Sequence, residues 1–118
     1  MAFDPYQLER IAQVLDSKKT PFLAKKMMGG QLILVDEKML VGLDQDKNTK
    51  ENRLMVRVGE EGWAEALRQL GCREMDFTGR PMKGFVYVYP EGFDMDDQLE
   101  FWIDLALAFN PKAKKSKK

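Results

Sequence analysis

No histidine occurs among the 118 residues, and Cys72 is the only cysteine. The first absence removes the commonest general base, every Ser-His or Cys-His nucleophile, and most zinc or iron sites. The second removes an intrachain disulfide and a cysteine-rich metal site, and makes a reduced, cytoplasmic setting the expectation. No apolar run reaches the roughly 18 residues that a membrane span requires, so no membrane association is expected. The opening run MAFDPYQLER carries an acid at Asp4 and lacks a small-residue cleavage site behind an apolar core, so it does not read as a signal peptide. Net charge is missing too, since 19 lysines and arginines balance 19 acids. That balance is uneven along the chain, because five of the cations are Lys112, Lys114, Lys115, Lys117 and Lys118. Without them 14 cations face 19 acids, a formal charge of −5 on the body. A body of that sign repels phosphate backbones. Nucleic-acid affinity is therefore expected to be weak and to come from the tail or a local patch.

What is present suits one domain with one core. An apolar fraction of 44% and a charged fraction of 32% are ordinary for a soluble globular protein. The domain is expected over residues 1–111, ended by Asn110-Pro111, with 112–118 as a disordered lysine-rich tail.

A first helix starts after Asp4 as cap, with Pro5 at the first helical position, Gln7 placed for a capping box, and Phe3 and Leu8 spaced for a hydrophobic staple. Leu8, Ile11, Ala12 and Leu15 form its apolar stripe, Arg10 lies away from it, and the helix should stop near Ser17. Residues 20–31 read as a connector that bends at Gly29-Gly30. Leu32–Val35 and Lys38–Leu43 read as a hairpin across Asp36-Glu37, and Arg53–Val58 as a third strand, with Leu54, Val56 and Val58 on one face and Arg53, Met55 and Arg57 on the other. A second helix opens at Gly59-Glu60-Glu61, buries Trp63, Ala66, Leu67 and Leu70, and is capped by Gly71. Cys72–Phe77 is the fourth strand. Thr78–Gly84 then reads as a tight loop holding Arg80 and Lys83 between glycines, and Phe85–Tyr89 as the fifth strand. The last helix is capped by Asp94 and is apolar around most of its girth, with Phe101, Leu105 and Ala108 making a second stripe beside Leu99, Trp102, Ile103 and Ala106. Such a helix either sits deep or meets a second molecule. The order α-β-β-β-α-β-β-α, without regular strand–helix alternation, predicts an α+β fold around a mostly antiparallel, five-stranded sheet.

Nothing in this pattern assembles into a catalytic constellation, so the chain is expected not to be an enzyme and to need no cofactor or metal. Cys72 reads as a small packing residue, and the pairs Glu60/Glu61 and Asp96/Asp97 as first-turn helix acids. Gly29-Gly30 lacks the Walker spacing, the Gly-x-Gly-x-x-Gly fingerprint and a following helix, which leaves a bend before a strand. For Arg80 and Lys83, anion contact, a partner surface and plain turn chemistry all remain open. Phe85, Tyr87 and Tyr89 lie on one side of the fifth strand and Val86 and Val88 on the other. Two apolar sides imply that both are covered, by helices or by a second subunit, which raises the expectation of a homodimer.

Three stretches carry a family resemblance: Lys26-Met27-Met28-Gly29-Gly30, the strand Leu54–Val58, and above all Asp76–Glu91 with its FTGRPMKGFVYV core. Over about residues 5–110 the chain resembles the N-terminal domain of the TfoX/Sxy competence regulators. The resemblance implies an α-β3-α-β2-α domain of secretion-chaperone-like type. In full-length regulators this domain precedes a DNA-binding-like helical domain, and the pair looks like a co-activator of DNA-uptake genes. The 118 residues hold no such second domain, and the chain is expected to be similar to the standalone members. It departs further at Met28, where the family usually has Phe, and at Phe85, where Trp is common. Carried over by position, the candidate interaction surface is Lys26, Met27, Gly29, Gly30, Arg57, Arg80, Pro81, Lys83 and Gly84, with no catalytic residue among them. The expectation is a non-enzymatic regulatory or protein-interaction module with an unidentified protein partner. The alternative is an accessory nucleic-acid binder using Arg57, Arg80, Lys83 and the lysine tail.

Overall fold

Hydrophobic alternation along the strands decides which side of the sheet is buried. The computed structural model describes residues 4–27, 30–77 and 80–112. Its elements are α1 (Pro5–Ser17), β1 (Leu23–Met27), β2 (Gly30–Val35), β3 (Lys38–Gln45), β4 (Asn52–Arg57), α2 (Glu60–Ala66), β5 (Cys72–Phe77), β6 (Arg80–Val88) and α3 (Asp96–Phe109), with short 3-10 turns at Pro90–Gly92 and Asn110–Lys112. All strand pairs are antiparallel, in the order β1-β2-β3-β4-β6-β5. After β4 the chain crosses through α2 to the far edge, forms β5, and returns along β6 into the place beside β4.

Cross-strand partners share a face, so the register sorts the residues. Ile33, Val41, Val56 and Val86 are successive partners across four strands, and all four are fully buried. Leu43, Leu54 and Val88 form the next row of the same face, again buried. All three helices supply side chains to this one core: Ile11 and Leu15 from α1, Ala66 from α2, and Leu99, Trp102, Ile103 and Ala106 from α3. Each fully buried aliphatic side chain contributes roughly 1.5–3 kcal/mol. The Trp102 indole N–H donates to the Gly92 carbonyl at 3.0 Å, so its polar edge is satisfied inside the core. Between Ile33 and Leu34 the partner of β2 jumps from Val41 to Met39, leaving Leu40 as the extra residue of a β-bulge.

The α+β class and the antiparallel sheet agree with the sequence reading, but the sheet has six strands rather than five. The additional strand is β1, inside the segment taken as a connector. Its sequence, Leu-Ala-Lys-Lys-Met, lacks β-branched residues and alternation, because an edge strand that stays exposed on both sides has no buried face to mark it. The fourth strand has its expected bounds, Cys72–Phe77, but the expected loop over Thr78–Gly84 is strand from Arg80 onward. Phe77 pairs with Arg80 and Asp76 with Pro81, so β5 and β6 make a hairpin whose outer part runs past the end of β4. There β6 has a neighbour on one side only, which is where a strand tolerates a proline.

Helix boundaries shift as well. Asp4 caps α1 by accepting from the Tyr6 N–H at 3.0 Å, and the helix ends at Ser17 as expected. Gln7 does not close a capping box; its side-chain oxygen accepts from Arg10 at 2.9 Å instead. Arg10, expected at the surface, is buried. α2 ends at Ala66, which leaves Leu70 exposed rather than in the helix stripe. α3 begins after Met95, not Asp94, with the Met95 N–H donating to the Gln98 side chain at 3.0 Å. The proposed Phe3 staple, Met28, Gly29, the Thr78-Gly79 turn and the tail beyond Lys112 lie outside the described residues.

Candidate functional site

Strand alternation that buries one face of the sheet necessarily presents the other. Successive partners across all six strands on that outer face are Lys25, Leu32, Gly42, Met55, Tyr87 and Arg73. Leu34 pairs with the exposed Leu23 on the same side, and Arg57 with Phe85. Leu32, Leu34, Met55, Phe85 and Tyr87 are only partly covered. Apolar side chains thus occupy the middle of this face and cations its margins.

Gly42 is buried beneath its neighbours. A Cβ there would lie 2.8 Å from the Met55 methyl carbon and 3.3 Å from a Leu32 methyl carbon, so the two side chains close over the glycine from either side. Met55 is an unbranched thioether and repacks readily, which makes the middle of the face adaptable.

Aromatic rings on this face carry guanidinium groups. Arg53 sits 3.8 Å from the Tyr87 ring centre, Arg73 4.2 Å from that of Tyr89, and Arg57 5.5 Å from that of Phe85. Arg53 also donates to Asp44 at 2.9 Å and to the Tyr89 hydroxyl at 3.1 Å, and that hydroxyl donates to Asp46 at 2.5 Å. Asp46 accepts further from the Asn48 and Thr49 N–H groups of the β3–β4 loop. The network favours the charged forms of Asp46 and Arg53 and the neutral forms of the two tyrosines. The Tyr89 hydroxyl, then the loop N–H groups, hold Asp46 down at about 2. Burial works against the Arg53 charge, but bonds to Asp44 and Tyr89 outweigh it and raise its pKa. Burial first, then carboxylates, raise Tyr87 and Tyr89. For Arg57 burial lowers the pKa. A face whose groups keep one protonation state around pH 7 suits fixed electrostatic binding better than proton transfer.

The structure spreads the sequence-derived surface over two ends of the sheet. Lys26, Met27 and Gly30 lie at the β1–β2 end, where a Cβ on Gly30 would meet the Leu43 carbonyl oxygen at 2.5 Å beside Asp44. Arg57, Lys83 and Gly84 come together at the opposite end. There Gly84 has φ +90°, and its carbonyl accepts from both the Val58 and Gly59 N–H groups. Arg80 and Pro81 follow on the projecting part of β6, and Gly29 lies outside the described residues. Arg57 also reaches 5.8 Å from the Phe109 ring centre, at the mouth of a groove of about 680 Å³ between the start of α2 and the end of α3.

Sequence reasoning singled out Arg57 and the loop cations but missed Lys25, Leu32, Leu34, Tyr87 and Arg73 as members of one surface. The signal was there in part: Met55 and Arg57 had been placed on the face opposite Leu54 and Val56. What was lacking was the strand order. Cys72, half-buried at the start of β5, has its thiol pushed up to about 12 by burial, which keeps it protonated and unreactive. Among the described residues no group of three or more acids or cysteines is placed to hold a metal, and no helix is long and apolar enough to cross a membrane.

In comparison with known families, the model of the TfoX N-terminal domain matches residues 15–110. No curated protein compared with the chain matches it.

Proposed function

The chain belongs to the TfoX N-terminal domain family, and from that premise we propose that it is a non-catalytic regulatory module, cytoplasmic, that acts by binding another protein through the outer face of its sheet. One observation carries the reading. Six paired strands hold Leu32, Leu34, Met55, Phe85 and Tyr87 on a surface outside the buried core, adjoined by a helix at one end, where Phe109 of α3 lies beside Arg57. Rigid strands lose little freedom on binding, and aromatic and Arg side chains are the residue types that dominate interface energetics. The sequence-derived residues Arg57, Lys83 and Gly84 adjoin this face at one end, and Lys26 and Gly30 at the other. They are proposed as its rim.

The test is a photo-crosslinking amino acid placed at Met55 on the outer face or at Glu9, exposed on α1. Protein adducts in cells are expected from position 55 and not from position 9, and are expected to disappear when Leu32→Asp and Leu34→Asp are added. Equal labelling from both positions would refute the reading.

A second reading, accessory nucleic-acid binding through Arg57, Arg80, Lys83 and the lysine tail, draws support from the pairing of cations with aromatic rings on a sheet, as single-strand binders use. The same geometry weakens it, because the Tyr87 ring already stacks against Arg53 at 3.8 Å, which a base would have to displace to stack on that side. Adducts from position 55 that vanish on nuclease treatment would favour this reading.

A further inference from the structure

We infer that the outer sheet face takes an acidic amphipathic helix of another protein, with an apolar centre flanked by carboxylates; this assignment rests on the interaction reading above and names its partner's chemistry. Charge divides unevenly between the helices and the sheet. Arg10 is the one cation in the three helices, against Glu60, Glu61 and Glu65 on α2 and Asp96, Asp97, Glu100 and Asp104 on α3. The outer sheet face reverses this, with Lys25, Arg53, Arg57 and Arg73. Its carboxylate Asp44 is bound to Arg53, as is the adjoining Asp46. Among the described residues the helices are therefore acidic and the outer sheet face cationic, and that face also carries the partly exposed apolar side chains of Leu32, Leu34, Met55, Phe85 and Tyr87.

The row across the strands sets the spacing. Lys25 stands at one end and Arg73 at the other, both exposed, with Leu32, Met55 and Tyr87 between them. Five inter-strand steps of about 4.8 Å put the two cations roughly 24 Å apart. A helix covers that distance in about 16 residues. Carboxylates in its first and last turns would meet Lys25 and Arg73 while an apolar stripe lies on Leu32, Met55 and Tyr87. Six strands of about 20 Å give a face on the order of 600 Å² before its relief is counted, close to the roughly 800 Å² per partner of a standard interface.

A second copy of this chain fits less well. Face to face about a two-fold axis, it would set the same cations against each other. Helical layer against sheet, it would bring opposite charges together, but in a head-to-tail contact that extends without closing.

The inference can be tested with the full chain and synthetic peptides in an NMR titration. The probes are an 18-residue helix with a leucine stripe and glutamates in its end turns, its isostere with lysines there, and a short single-stranded DNA. Amide shifts at Leu32, Met55 and Tyr87 are expected with the glutamate peptide alone. Lys25→Glu with Arg73→Glu should weaken that peptide at least tenfold and let the lysine peptide bind. Lys25→Glu by itself should give an intermediate loss, and a dispersed spectrum shows that each variant folds. Equal binding of both peptides to the face would overturn the acidic assignment and leave the interaction reading standing. Shifts confined to the helices, preference for the DNA, concentration-dependent self-association through this face, or no binding by any probe would also overturn it. The crosslinking experiment decides the interaction reading separately.

Discussion

Replacing Arg10 with methionine should destabilise the protein by about 3 kcal/mol, although a helical wheel puts Arg10 at the surface. The guanidinium lies buried under the turn that leads into α3. It donates to the Phe93 carbonyl at 3.0 Å and the Asp94 carbonyl at 3.1 Å, and reaches Asp96 at 3.3 Å. Methionine keeps an apolar stem and removes the charge, so the loss comes from the polar contacts. A hydrogen bond involving a charged group contributes roughly 1.5–3 kcal/mol, and the Phe93 carbonyl would be left buried without this donor. The Asp96 pair adds little, because its carboxylate is fully exposed. With an unfolding entropy of about 2.1 cal/mol/K per residue, a chain of this length loses about 4 °C of Tm per kcal/mol, so the expected fall is about 12 °C. The assay is urea and thermal unfolding followed by the fluorescence of Trp63 and Trp102. Arg10→Lys should lose about half as much, since one ammonium can reach one carbonyl. Asp96→Ala should stay within about 0.5 kcal/mol of the parent. An Arg10→Met protein within about 0.5 kcal/mol of the parent, or an Asp96→Ala protein that matches its loss, would refute the reasoning.

Tyr89→Phe removes the strongest influence on Asp46, whose pKa should then rise from about 2 toward its ordinary 3.8. Because the folded pKa is depressed, Asp46 contributes stability that is complete above pH 3.8 and is lost as pH falls toward 2. In the variant that loss should be smaller; carboxyl titration by NMR reads it, and an Asp46 still titrating near 2 would assign the effect to the Asn48 and Thr49 N–H groups instead. Gly62→Ala should stabilise by about 0.5–1 kcal/mol, since α2 gains helix propensity and the added Cβ meets nothing within 4 Å. Gly30→Ala should instead cost more than about 1 kcal/mol, because its Cβ would strike the Leu43 carbonyl oxygen at 2.5 Å. Chemical denaturation of the pair checks both, and a neutral Gly30→Ala would show that β2 and β3 can part there without penalty.

Local pattern was enough to read most of this protein from its residues. The alternation of Leu54, Val56 and Val58 with Arg53, Met55 and Arg57, the Asp4-Pro5 cap, the Asp36-Glu37 hairpin and the stripe of α3 are short-range signals, set by the period of two in strands and 3.6 in helices. The FTGRPMKGFVYV stretch and its companions pointed to the family that residues 15–110 match. What the chain could not disclose locally was which strand lies beside which. β6 enters between β4 and β5, so Met55 meets Tyr87 at a separation of 32 positions, and Arg73 joins them from the far edge. That order turns scattered cations and aromatics into one face, and it divides Lys26 and Gly30 from Arg57 and Gly84. It also buries Arg10, whose partners Phe93 and Asp94 come from more than 80 positions away. Side-chain periodicity is a property of neighbours in sequence, whereas a binding surface belongs to neighbours across a sheet, and only the tertiary pairing supplies those.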